Sequence, residues 1–167
     1  AVESVAYPEL ESHPDRALAQ RLLPRGCGAV FSFNLKGSRE QGKAFIEALK
    51  IFSHLANVGD ARSLAIHPAT TTHSQLSEEQ QRAGGITPEL VRLSVGIEHP
   101  DDLIADLIHE IVIVADQDQP DARTREPAQR AGQVIDAGAV QIVGRLVEQH
   151  QIGRRLQDRP QRQVMPL

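Results

Sequence analysis

The chain has a single cysteine, a single tyrosine, four phenylalanines and no tryptophan among its 167 residues, and every aromatic lies at or before Phe52. One thiol, Cys27, excludes an intrachain disulfide and fits a reducing, cytoplasmic compartment. Set between Gly26 and Gly28, it reads as a small packed residue rather than a nucleophile. An aromatic content of 3% leaves no platform for stacking bases, and a net charge of -4 with interspersed signs gives no basic stripe to follow phosphates. Both absences argue against nucleic acid as a partner. Long apolar runs are missing too. The longest, Ile111 to Ala115, falls far short of the ~20 residues a bilayer-spanning helix needs. The opening AVESVAYPEL has no basic stretch leading into an apolar one, so no membrane attachment is expected. Lysine is scarce as well, confined to Lys36, Lys43 and Lys50.

What remains is ordinary globular material, 40% apolar and 24% charged, enough for one domain with a core. Ala29, Val30, Phe31, Phe33 and Leu35 predict a buried strand between Gly28 and Leu35. Phe45, Ile46, Leu49, Phe52 and Ala56 recur every three or four residues and predict a helix between Gly42 and Gly59. A short strand is expected over Ser63 to His67 and a short polar helix over Leu76 to Ala83, closed by Gly84 and Gly85. Val91, Leu93, Val95 and Ile97 alternate with Arg92, Ser94, Gly96 and Glu98, which places Arg92 on the face opposite the apolar set. Asp101 and Asp102 suit the first turn of a helix whose stripe is Leu103, Ile104, Leu107, Ile108 and Ile111. This order predicts an α/β (α+β) domain, a small mixed sheet with helices packed on it, over residues 1–111. Residues 112–167, rich in Gln, Arg, Asp and Pro, read as an atypical linker and tail, poorly ordered or weakly helical, with a frayed helix near Ala139 to His150.

Three groups of residues invite chemistry. Gly37, Gly42 and Lys43 satisfy G-x-x-x-x-G-K between a predicted strand and helix, but Ala44 replaces the hydroxyl that would hold magnesium and Ser38 to Gln41 is no glycine-rich cradle. His67 and His73 share a loop, yet no second ligand pair stands at zinc spacing, so hydrogen bonding is the expected role. Arg92 is different: a planar guanidinium offers two parallel donors with permanent charge, a fit for a carboxylate. It sits in sequence beside a Ser/Thr/His-rich loop.

The runs ANVGDARSLAIHPATTTHSQL, Ala56 to Leu76, and VRLSVGIEHPDDLIADL, Val91 to Leu107, resemble the C-terminal domain of the O-acetylhomoserine sulfhydrylase branch of the pyridoxal-phosphate enzymes of cysteine and methionine metabolism. The resemblance begins near Val2, includes SFNLKGSREQGKAFIEALKIFSHLANVG, and ends near Leu107. It implies the fold of the small domain of fold-type I enzymes, and a γ-replacement in which O-acetylhomoserine plus sulfide or thiol gives homocysteine or methionine. It also implies a pyridoxal phosphate cofactor, an amino-acid substrate and homo-oligomeric full-length members. By the same resemblance Arg92 binds the substrate carboxylate, with Ser63 and Leu64 at the same end and Thr72 in support. No lysine here matches the one that carries the cofactor, and no catalytic, cofactor-binding or metal residue is transferred. The expectation is therefore a fragment, inactive alone, whose two ends a truncated or shifted reading frame would explain. The alternative is a non-catalytic binding or assembly module that keeps the fold.

Overall fold

A computed structural model describes residues 2–117, with side chains through Ile111. Its centre is a five-stranded mixed sheet in the order β1-β2-β5-β4-β3. The strands are β1 (Val2–Ala6), β2 (Val30–Leu35), β3 (Ser53–His54), β4 (Leu64–Ile66) and β5 (Leu90–Ser94). β1, β2, β5 and β4 pair antiparallel in turn, and β3 joins β4 in parallel. The helices are α1 (Arg16–Leu22), α2 (Arg39–Ala48), α3 (Glu78–Ala83) and α4 (Pro100–Gln117), with a 3-10 turn at Pro68–Thr70. This is the small mixed sheet with packed helices expected from the sequence.

The period-two alternation does the sorting. Phe31, Phe33, Leu35, Val91, Leu93 and Ala65 join Phe45 and Ile46 of α2 and Leu103, Leu107 and Ile111 of α4 in one buried cluster. The few aromatics are concentrated here: Phe33 meets Phe45 edge to face at 5.8 Å, and Tyr7 meets Phe31 at 6.4 Å. Register then fixes the other face, because Ser32 and Ile66 both stand opposite Arg92. With the helices on the first side, Arg92 is left on the second.

Five elements depart from the sequence reading. The second helix begins at Arg39, before Gly42, because Ser38 and Gln41 form a capping box, and it stops at Ala48 instead of running to Ala56. The stop is made from a distance: the buried Asp106 carboxylate accepts the Lys50 N–H at 3.1 Å and the Ile51 N–H at 3.0 Å, turning the chain into β3. β1, α1 and β3 were not anticipated, and β5 ends at Ser94 instead of continuing to Glu98. The tail beyond Gln117, including the helix expected near Ala139 to His150, lies outside the described residues.

Candidate substrate-carboxylate site

Arg92 projects from β5 into a cleft of about 430 Å³ whose walls include Ala6, His13, Val30, Ser32, Ile66, Thr72, His73, Leu90 and Arg92. None of the cleft-lining residues is Asp or Glu, and three are Arg or His, so the walls favour an anion. The Arg92 Nη2 donates to the Asn57 carbonyl at 2.9 Å. Its Nε is enclosed and has no hydrogen-bond partner among the described residues. An enclosed donor left unmet costs about 1–3 kcal/mol, which a carboxylate would offset with a charge-assisted bond.

Thr72 lies in the same cleft, its Oγ1 2.8 Å from His73 Nδ1. The loop that carries it is held from behind by Gln81 of α3, a fully enclosed amide whose Nε2 donates to the His73 carbonyl at 2.6 Å and the Ala69 carbonyl at 3.2 Å. Ser63 and Leu64 sit elsewhere. Ser63 is completely buried; its Oγ donates to Glu98 Oε2 at 2.8 Å and accepts the Gly96 N–H at 2.8 Å, while its own N–H reaches Glu98 Oε1 at 2.7 Å. Leu64 is buried in β4, paired in register with Ser94. The structure thus brings Arg92 and Thr72 to one cleft, whereas Ser63, just before β4, and Leu64, its first residue, do not line it. Sequence reasoning had no signal for Asn57, which acts through its backbone, or for His13, which arrives from the segment before α1.

His67 belongs to the scaffold. It is wholly buried, with Nε2 2.7 Å from the Pro88 carbonyl and Nδ1 2.9 Å from Thr70 Oγ1. A carbonyl only accepts, so Nε2 carries the proton and Nδ1 accepts from Thr70. Burial is the main cause that lowers its pKa, which keeps the ring neutral. Both nitrogens are occupied, and among the described residues no cluster of three or more His, Cys, Asp or Glu is placed to hold a metal. Gly42 is explained by the same ring: a Cβ there would lie 2.6 Å from His67 Nε2, so the glycine lets α2 pack against the His67 ring and has no need of a phosphate. No helix among the described residues is long and apolar enough to cross a membrane.

A family model described as Cys/Met metabolism PLP-dependent enzyme matches residues 1–111. O-acetyl-L-homoserine sulfhydrylase 1 of Thermus thermophilus is 58% identical over 103 residues, 62% of this chain and 24% of that protein. Homocysteine synthase of Schizosaccharomyces pombe is 50% identical over 112 residues, 67% of this chain and 26% of the other. Among solved structures, an O-acetylhomoserine (thiol)-lyase of Campylobacter jejuni containing N'-pyridoxyl-lysine-5'-monophosphate superposes with a TM-score of 0.61 at 41% identity, covering 66% of this chain and 26% of that one. Cystathionine gamma synthase of Xanthomonas oryzae in complex with cystathionine gives a TM-score of 0.63 at 38% identity, covering 68% and 29%. The chain spans about a quarter of the length of the curated relatives it matches.

Proposed function

The chain belongs to the Cys/Met metabolism PLP-dependent enzyme family, and on that premise we propose that it supplies the substrate-carboxylate side of a γ-replacement enzyme converting O-acetylhomoserine plus sulfide or thiol to homocysteine or methionine. The observation that carries the proposal is Arg92 in a cleft without carboxylates, with Nε unmet. Arg92 holds the α-carboxylate and Thr72 borders the same pocket. Leu64 contributes from β4 and Ser63 from the residue before it, tying the start of β4 to Gly96 and Glu98, just past the strand that bears Arg92. A fixed guanidinium turns remote binding into orientation of the reacting carbons.

The family's cofactor is pyridoxal phosphate, but the residues described here do not fit it. Lys36, Lys43 and Lys50 are absent from the cleft walls, and Lys43 is spent on Glu47 along α2 at 3.6 Å. Among the described residues the cleft offers a grip for a carboxylate and no amine for the cofactor, which supports reading this chain as the substrate side of the site.

Titrating the chain with O-acetyl-L-homoserine and with its carboxamide, followed by amide NMR, tests the reading. Shifts centred on β5 and the Thr72 loop with the acid, and none with the amide, are expected. Equal responses to the two ligands would overturn it.

A further inference from the structure

We propose that Asp60 is a positioning residue for Arg92, acting through the loop between β3 and β4 to hold the guanidinium in register for a carboxylate ligand; this rests on the reading of Arg92 given above. The loop is built around the Asp60 side chain. Its Oδ1 accepts the Arg62 N–H at 3.0 Å and its Oδ2 lies 3.4 Å from Asn57 Nδ2. Asn57 Oδ1 in turn accepts the Val58 N–H at 2.8 Å, and Gly59 takes φ +77°, the left-handed turn this path requires. The product of this arrangement is one backbone atom, the Asn57 carbonyl, placed 2.9 Å from Arg92 Nη2.

The far end of the loop is tied to the chain just past β5. Ala61 O accepts the Ile97 N–H at 3.0 Å, and Ser63 Oγ accepts the Gly96 N–H at 2.8 Å. A Cβ at Gly96 would stand 2.4 Å from Ala61 O, so the contact depends on a glycine there. The loop is therefore fixed to the continuation of the strand that bears the arginine, and Asp60 sets the reach between that anchor and Asn57. The hydrogen bond from the Arg62 N–H is the main cause that lowers the Asp60 pKa, so the carboxylate that shapes the loop stays charged at neutral pH. Asp60 does not line the cleft. Its effect on a ligand passes through Asn57 and Arg92.

Release of the loop lets the guanidinium sample other rotamers. If the bound-ready orientation falls to about a tenth of the population, the apparent Kd rises about 10-fold. The test uses the full chain, the probe L-methionine, and NMR of side-chain Arg N–H groups. In wild type the Arg92 guanidinium gives a protected signal and L-methionine binds. Asp60→Ala should lose that protection and bind about 10-fold more weakly. Asp60→Asn, which keeps an oxygen for the Arg62 N–H but sets an amide donor against Asn57 Nδ2, should fall between wild type and Asp60→Ala on both readouts. A wild-type affinity in Asp60→Ala, or the same loss in both variants, overturns the proposal. Backbone amide spectra report whether each variant is folded. Gly59→Val, which strains the same turn without touching Asp60, should reproduce the Asp60→Ala result, and an unchanged Arg92 signal in it counts equally against the loop. If wild type ignores L-methionine, the carboxylate reading fails by itself, while the Arg92 signal still decides what Asp60 does.

Discussion

Replacing Gly42 with alanine sets two magnitudes against each other. Helix propensity alone favours the change by about 1 kcal/mol, because glycine inside a helix is costly. The new methyl, however, would stand 2.6 Å from Nε2 and 2.8 Å from Cδ2 of His67. That ring has no exposure and is pinned at both nitrogens, so it cannot swing aside as a surface side chain would. Overpacking of this kind costs about 1–3 kcal/mol. Displacing Nε2 from the Pro88 carbonyl, 2.7 Å away, leaves a buried donor and acceptor unpaired for about 1–3 kcal/mol more. The net expectation is destabilisation by about 3 kcal/mol, a fall in Tm of roughly 12 °C for a domain of this size. Thermal unfolding followed by circular dichroism measures it, and the double variant Gly42→Ala/His67→Ala should recover at least about 1 kcal/mol of coupling. A rise in Tm for Gly42→Ala would refute the packing account and restore propensity as the controlling factor.

Three further outcomes follow. Asp106→Ala removes the carboxylate that accepts the Lys50 and Ile51 N–H groups and should cost about 1.5–3 kcal/mol in urea unfolding; an unchanged midpoint would show that the turn after α2 holds without it. His67 is buried neutral with its pKa lowered, so the unfolded chain binds the extra proton: its contribution is complete above the ordinary value of 6.5 and is lost as pH falls below it. Wild-type stability should therefore drop between about pH 6.5 and 5 more steeply than that of His67→Gln, by up to about 1.4 kcal/mol per pH unit, and parallel profiles would contradict the assignment. Adding pyridoxal phosphate to the chain should give no lysine-dependent absorption band and no homocysteine from O-acetyl-L-homoserine and sulfide; turnover would overturn the division of labour proposed.

The parts of this fold that were legible in the sequence are those whose signal is local. Period-two alternation over Val91 to Val95 gave the strand and put Arg92 on the face away from the core, where the structure has it. The apolar stripe of α4 and the polar composition of α3 with its glycine end were read from spacing. What escaped is set by partners distant along the chain. β3 is two residues long, too short for any period, and exists through its pairing with β4. The end of α2 is decided by Asp106, more than fifty residues on. Phe52 was in phase with the helix and yet follows it, because an apolar residue in a turn can fill the same core. The site divides the same way: Arg92 announced itself, whereas the pairing of Ser63 with Glu98 crosses 35 residues, and Asn57 contributes a carbonyl that every residue type possesses.

The central claim is that the Arg92 guanidinium is the carboxylate anchor. The most direct measurement is the Kd of O-acetyl-L-homoserine for wild type, Arg92→Lys and Arg92→Ala by NMR titration. A charge-assisted two-point contact is worth about 1.5–3 kcal/mol, so the account predicts that Arg92→Ala binds roughly 10- to 100-fold more weakly. Arg92→Lys should recover only part of that, because an ammonium cannot form the parallel pair. Affinities for the acid within about 2-fold across all three proteins would contradict it.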